Sequence, residues 1–148
     1  MNVEQIIKTD KKIPLKGRTI IHFMLVNNKI NEAISNVLKP FDVSLQQFNV
    51  LRILQGQQGK PANLSTLNER MVTKMSNTTR LVDKLILKGY VDRIVCPSNR
   101  RKVEINITRQ GELTLKMMDA EMQMAEDKIL DNLSLKELEQ LNVLFNKF

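Results

Sequence analysis

The strongest constraint on the fold is the order of three patterns between residues 73 and 109. An amphipathic helical pattern comes first, and it stops at Lys88 and Gly89. Two short runs then follow, residues 91–95 and 103–107, in which apolar and polar residues alternate. Two such runs separated by a polar loop predict an antiparallel hairpin, and Gly89 suits the left-handed backbone that ends a helix. A chain of 148 residues can build one domain around this unit, with additional helices packed on it.

The helix before Gly89 divides into two faces. At 100° per residue its apolar positions form one stripe, which we expect to be buried: Met75, Thr78, Leu81, Val82, Leu85 and Ile86. The opposite face is polar and basic, and it consists of Thr73, Ser76, Arg80 and Lys84, with Asn77 at its margin. Thr79 lies nearer the buried margin, and Asp83 lies at the edge of the polar face. Thr73 is the expected N-cap.

The other elements are predicted to be helical. Residues 1–13 suggest a loosely ordered arm. Apolar residues at helical spacing predict a helix from Leu15 or Thr19 to Leu38, which Pro40 ends. Capping patterns predict four further helix starts, at Ser44 with Gln47, at Asn63, at Thr108, and at Ser134 with Glu137.

The positive charge is concentrated in the same stretch. Residues 70–109 contain ten Lys and Arg residues against three acidic ones, which accounts for the whole formal net charge of +7. A basic excess confined to one segment indicates a polyanionic ligand, although a solvated face without a partner is the alternative. Lys84, Lys88 and Arg93 are expected to contact phosphates.

Several classes of protein are disfavoured. No apolar run reaches the roughly 18 residues of a membrane-spanning helix, and the N-terminus has no signal-peptide pattern, so we expect a cytoplasmic protein associated with the nucleoid. A single cysteine, Cys96, excludes an intrachain disulfide and a cysteine-based zinc cluster. With one histidine and no phosphate-binding glycine loop, we expect no enzyme, no metal and no cofactor.

The order of elements is that of a winged helix-turn-helix with extra helices at both ends. A helix with small polar side chains at its start fits the major groove of DNA, where Arg and Asn side chains bind base edges. The predicted DNA-binding residues of this recognition helix are Thr73, Ser76, Asn77, Thr79, Arg80 and Lys84. Those of the hairpin tip, or wing, are Asn99, Arg100, Arg101 and Lys102.

These residues resemble the MarR family of bacterial transcriptional regulators. The resemblance extends over nearly the whole chain from about residue 20 and is strongest from Leu67 to Gly111. The motifs lie at residues 67–71 (LNERM), 79–85 (TRLVDKL), 88–93 (KGYVDR), 99–101 (NRR) and 108–111 (TRQG). The chain departs from the family at Asn99, where the family has an aspartate that orients the wing arginines.

The resemblance also implies partners. It implies an obligate homodimer in which the first and the last two helices interleave, and whose two recognition helices bind a palindrome with half-sites about one helical turn apart. It further implies a small aromatic or phenolic effector between these helices and the DNA-binding lobe, near His22, Phe48 and Met117. Packing is the commoner role for such Met residues, and a structural or surface role is the commoner one for a single His. At Cys96 an inert role is favoured, and redox sensing is the alternative.

The sequence thus predicts a mainly α-helical fold with a small two-stranded β-wing. Residues 1–40 form the arm and first dimerisation helix, residues 41–110 the winged helix-turn-helix lobe, and residues 111–148 the C-terminal dimerisation helices. The predicted function is that of a homodimeric DNA-binding regulator, a repressor of palindromic operators relieved by a small molecule. The alternative is a winged-helix module that binds a protein partner, for which the exposed Leu87 is the one indication.

Overall fold

The computed structural model describes residues 2–72, 77–95 and 103–148. Its first elements are a one-turn helix, α1 (Val3–Ile6), and a long helix, α2 (Leu15–Leu38). A 3-10 turn at Lys39–Phe41 contains Pro40 and ends α2, as predicted. Because α2 begins at Leu15, the earlier of the two predicted starts is confirmed.

The N-terminal segment is ordered against α2, so the prediction of a loose arm was wrong. Val3 is fully buried. The Arg18 guanidinium donates two hydrogen bonds to the Glu4 carboxylate, at 2.8 and 3.1 Å, and these hold the pKa of Glu4 below its usual value. This contact joins residues fourteen positions apart, which local sequence patterns do not show.

The next two helices begin at the predicted caps. Helix α3 (Leu45–Gln55) starts with a capping box, in which the Ser44 hydroxyl accepts from the backbone N–H of Gln47 and the Gln47 side chain accepts from the backbone N–H of Ser44. Helix α4 (Leu64–Arg70) starts at Asn63, whose Oδ1 accepts from the Thr66 N–H at 2.9 Å. Both starts are confirmed.

Helix α5 (Thr78–Leu87) has the predicted faces but a later start. Val82 and Leu85 are fully buried and Thr78 nearly so, while Leu81 and Ile86 are half-buried. Asn77 occupies the N-cap position, so the prediction of Thr73 as N-cap was wrong. Thr73, Met75 and Ser76 lie outside the described residues. The helix ends as predicted, because Gly89 adopts a φ of +72°.

The hairpin consists of β1 (Val91–Val95) and β2 (Val103–Ile107), paired antiparallel from Val91 opposite Ile107 to Val95 opposite Val103. Ala62 forms an isolated β-bridge with Ile105 of β2, through two backbone hydrogen bonds of 3.0 and 2.7 Å. This bridge connects the loop before α4 to the sheet. Residues 96–102, including Cys96 and the predicted wing residues, lie outside the described residues.

Two C-terminal helices complete the described chain, α6 (Arg109–Leu130) and α7 (Leu135–Phe145). The Thr108 hydroxyl accepts from the Gly111 N–H at 3.0 Å and donates to the Gly89 carbonyl at 2.7 Å. It therefore caps α6 and joins that helix to the end of α5. Ser134 and Glu137 form the predicted capping box of α7, and their hydrogen bonds lower the pKa of Glu137.

One core joins all the longer elements except α7. Helix α5 packs on α3, α4 and β1, and α6 packs on α2 and α3. The core includes Leu38, Leu51, Leu54, Leu67, Val82, Leu85, Val91, Ile105, Leu115 and Met118. Among the described residues, no helix has both the length and the apolar character needed to cross a membrane.

Large apolar side chains remain exposed on α2, α6 and α7. Helix α7 has no buried residue, and α2 has one, Leu38. The exposed apolar residues on these helices include Ile20, Met24, Leu113, Met117, Met124, Leu135, Val143, Leu144 and Phe145. Amphipathic helices with an uncovered apolar face are typical of surfaces that bind another protein.

Gly111 lies where α6 touches the start of β1, and we predict that Gly111→Ala destabilises the fold. A Cβ there would lie 2.2 Å from the Tyr90 carbonyl oxygen and 2.9 Å from Ile107 Cγ1. Backbone must move to relieve this overlap, so we expect a loss of about 1–3 kcal/mol or more in the free energy of unfolding. Urea unfolding followed by circular dichroism measures it.

Gly17→Ala is the matched control. In the first turn of α2 the nearest atom to an added Cβ is Ile13 Cγ2 at 3.7 Å, an ordinary contact. Because Ala favours helix over Gly by up to about 1 kcal/mol, this variant should be as stable as the parent or more so. Equal losses in both variants would contradict the proposed close approach at Gly111.

Candidate nucleic-acid interface

The exposed face of α5 presents two cations and a small hydroxyl group. Thr79, Arg80 and Lys84 are all exposed. No ion pair joins Arg80 or Lys84 to another residue in the ranges 2–72, 77–95 and 103–148. Thr79 is exposed, although its sequence position suggested a place nearer the buried margin. The face can therefore donate hydrogen bonds to an acceptor-rich partner.

Asn77 stands at the start of this face. It is exposed and occupies the N-cap position, yet its side chain makes no capping hydrogen bond to the helix. Its amide is therefore available to an external partner. Of the six predicted recognition-helix residues, Asn77, Thr79, Arg80 and Lys84 are each exposed in the structure. The other two, Thr73 and Ser76, lie outside the described residues.

A side-chain hydrogen bond orients α5 against α4. The Thr78 hydroxyl donates to Asn68 Oδ1, and Thr78 is only 3% exposed. This bond joins the two helices of the helix-turn-helix near the start of α5, and so it helps to set the direction in which Arg80 projects. Sequence analysis placed Thr78 on the buried stripe but missed its partner, because a spacing of ten residues across a turn has no local signature.

Two ion pairs join α5 to its neighbours. Asp83 on α5 pairs with Arg93 on β1, which holds the hairpin against the helix. Lys88, at the end of α5, pairs with Asp42 in the turn after α2. The hydrogen bond from Lys88, and then the charges of Lys88 and Lys84, hold the pKa of Asp42 below its usual range.

These pairs change the expected roles of two cations. Lys88 and Arg93 were expected to contact phosphates, but in the structure each is engaged with a carboxylate of the same chain. The Lys88 side chain is 24% exposed and the Arg93 side chain 30% exposed, so neither is fully solvated. The geometry favours a structural role for both and leaves Arg80 and Lys84 as the available cations of the described interface.

The three predicted effector residues lie in different environments of the described chain. Phe48 is 2% exposed within the core, with the Arg52 guanidinium 5.6 Å from its ring centroid. Met117 is 60% exposed on α6, and His22 is half-buried on α2. None of them lines either of two clefts in the described part of the chain, one between α2, α3 and α5 and the other between α3 and the start of α6. The reason is that Phe48 faces inward and Met117 outward.

The larger cleft lies between α2, the start of α3 and the end of α5. Its volume is about 1060 Å³, and its lining includes Lys39, Asp42, Lys84 and Lys88. The cleft has no signature along the sequence, because its charged residues come from three separate elements. Within the described ranges, no cluster of three or more His, Cys, Asp or Glu residues could hold a metal ion.

We predict that Thr78→Val weakens the α4–α5 junction. The substitution keeps the side-chain shape and removes the hydroxyl that donates to Asn68. Loss of one hydrogen bond should lower the free energy of unfolding by about 1 kcal/mol. Thr79→Val, one residue away and exposed, is the control, since Thr and Val have similar helix propensities. A fall in stability of equal size in both variants would refute the role of this bond.

Comparison with known proteins agrees with this geometry. The sequence profile of the MarR family matches residues 43–103, which extend from the turn after α2 to the start of β2. The multiple antibiotic resistance protein MarR of Salmonella typhimurium is 31% identical over 102 residues, or 67% of this chain and 65% of that protein. The matched region therefore spans slightly less than two thirds of that relative's length.

Two further similarities extend over more of the chain. The HTH-type transcriptional regulator YpoP of Bacillus subtilis, described as uncharacterised, is 30% identical over 125 residues, or 84% of each chain. The crystal structure of a MarR-like transcription regulator from Bacillus cereus superimposes with a TM-score of 0.78 at 22% identity. That superposition covers 90% of this chain and 96% of the other, so the two share the fold over most of their length.

Proposed function

This chain belongs to the MarR family, and we propose that it is a sequence-specific DNA-binding transcriptional regulator. The observation that supports this most directly is the exposed face of α5, where Arg80 and Lys84 make no ion pair with other described residues. A helix that buries one stripe and projects cations and small polar groups from the other suits the major groove.

Each group on the proposed interface has a chemical role. Arg80 can donate two hydrogen bonds to a guanine edge, Asn77 can bind an adenine edge, and Thr79 can bind either purine. Lys84, further along the helix, is placed for a phosphate. Thr73 and Ser76 extend the proposed base-contacting set, and Asn99, Arg100, Arg101 and Lys102 are proposed to bind phosphates or a narrow minor groove through the wing.

We propose that the active form is a homodimer. A monomer leaves the apolar faces of α2, α6 and α7 in water, and α7 has no buried residue. A second copy of the chain is the simplest partner, because α2, α6 and α7 come from both ends of the chain. If these helices interleave with those of a second copy, all three apolar faces are covered together. Two α5 helices related by a two-fold axis would bind a palindromic operator with half-sites about one helical turn apart.

We further propose that the regulator is a repressor that a small molecule releases from DNA. This proposal is supported by the cleft at the end of α5, which is large enough for a small ligand. A ligand there can bias the position of the recognition helix. A winged-helix module that binds a protein is the second candidate, favoured by Leu87, which is 87% exposed at the end of α5.

The decisive experiment compares DNA binding by Arg80→Ala and Arg101→Ala. Labelled DNA from the promoter of the protein's own gene is titrated with the protein at several salt concentrations, beside a scrambled duplex. Arg80→Ala should weaken specific binding by about 1–3 kcal/mol and leave binding to scrambled DNA nearly unchanged. Arg101→Ala should weaken both and reduce the salt dependence, because a phosphate contact releases counterions.

Lys128→Ala removes one positive charge from the exposed end of α6 and serves as the control. If it weakens binding as much as Arg80→Ala, the effect is one of net charge alone. Absence of a salt-sensitive specific complex for the parent protein would refute DNA recognition and favour the protein-binding alternative.

The dimer is tested with Leu144→Glu. Leu144 is 53% exposed on α7, and a carboxylate there cannot be covered by a second copy without a large desolvation cost. Light scattering should give twice the 17.1 kDa chain mass for the parent protein and the single chain mass for the variant. Lys136→Glu changes charge at an exposed position of the same helix and should remain dimeric. A monomeric parent would contradict the proposal.

A further inference from the structure

We propose that the larger cleft is a binding site for a phosphorylated polyol, and that its occupancy opposes DNA binding. Only the second part of this proposal, the effect on DNA binding, rests on the proposed function. The cleft, here called the lysine cleft, has three walls. They are Asn27, Asn31 and Ser35 on α2; Lys39, Asp42, Ser44 and Gln46 in the turn and the start of α3; and Lys84, Leu87 and Lys88 on α5.

Positive charge is in excess within the lysine cleft. Lys39, Lys84 and Lys88 line it, against the single carboxylate of Asp42. Asp42 already pairs with Lys88, and neither Lys39 nor Lys84 is ion-paired to a residue that the structure describes. Two cations facing one concave space attract an anion more strongly than the same charges on a flat surface, because the protein walls reduce solvent screening.

Lys39 and Lys84 come from different walls of the cleft, and this favours a small anion that fits between them over a flat polymer surface. Lys39 follows α2, whereas Lys84 lies one turn before Lys88 on α5. A phosphate group has acceptor oxygens on all sides, so ammonium groups on two walls of the cleft can each donate a hydrogen bond to it. The ligand class is therefore an anion with more than one charge-accepting oxygen.

Neutral hydrogen-bonding groups occupy the rest of the wall. Asn27 and Asn31 are one helical turn apart on the same side of α2, and Ser35 continues the row. Each amide offers both a donor and an acceptor, which matches the hydroxyl groups of a sugar. A volume of about 1060 Å³ has room for such a molecule and its bound water. Together these groups favour a hexose phosphate over a bare anion.

Lys84 connects the cleft to the DNA-binding face. It lines the cleft and also projects from the exposed side of α5, where a phosphate of DNA is proposed to meet it. A phosphate bound in the cleft would compete for that charge. The two ligands would therefore weaken each other's binding by the same factor, as linkage requires.

The first test measures the cleft without DNA. Isothermal titration calorimetry of the full-length protein with glucose 6-phosphate should give saturable binding, and glucose alone should give none. Lys39→Gln should weaken binding by about tenfold, the effect of one lost hydrogen bond to a charged group. Lys29→Gln removes an exposed lysine of α2 outside the cleft lining and should bind as the parent does.

Three outcomes of this titration overturn the assignment. Absence of saturable binding overturns it directly. Inorganic phosphate binding as tightly as glucose 6-phosphate would show that the row of amides does not contact the ligand. Equal affinities of the Lys39→Gln and Lys29→Gln variants would place the ligand elsewhere.

The second test measures the coupling at constant ionic strength. Glucose 6-phosphate should lower the affinity of the parent protein for promoter DNA, whereas glucose with matched sodium chloride should not. Lys39→Gln, which removes a cleft lysine outside the proposed DNA interface, should bind DNA normally and lose this response. Binding in the first test without any effect here would overturn the coupling. Failure of DNA binding without ligand would instead refute the proposed function and leave the cleft result standing.

Discussion

The burial of one stripe of α5 is the interaction on which the rest of the structure depends. Val82 and Leu85 are fully buried where α5 packs on α3, α4 and β1. With 3.6 residues per turn, burial of these two positions leaves no alternative for Arg80 and Lys84 but the opposite side. The direction of the candidate interface therefore follows from core packing, and the cations are exposed as a consequence of apolar burial.

Ion pairs then divide the cations of this region into two groups. Arg93 and Lys88 pair with Asp83 and Asp42, which join α5 to the hairpin and to the turn after α2. These partly exposed pairs contribute little to stability, but they hold neighbouring elements in position. Arg80 and Lys84 are left for an external partner. The total basic charge of this region thus overstates the charge available to bind an external partner, because part of it is neutralised within the chain.

Helix α6 links the candidate interface to the uncovered apolar surface. At its start, Gly111 lies against the Tyr90 carbonyl and Thr108 joins it to Gly89, immediately after α5. Along its length it packs on α2 and α3 and still leaves Met117 and Met124 exposed. A partner that covers Met117 and Met124 therefore contacts α6, and the first turn of α6 lies against the end of α5. The lysine cleft, at the end of α5, is also lined by α2.

The sequence by itself determined the elements whose signals are local. The caps at Ser44, Asn63 and Ser134, the stop at Gly89 and the two strands were predicted because each depends on residues within about four positions or on simple alternation. Four of the six predicted recognition-helix residues are exposed, as the helical periodicity of α5 predicts. Only the tertiary structure decided the Thr78–Asn68 bond, the Ala62–Ile105 bridge, the inward position of Phe48 and the lysine cleft. These features join residues from different elements, and no pattern along the chain encodes which elements will meet.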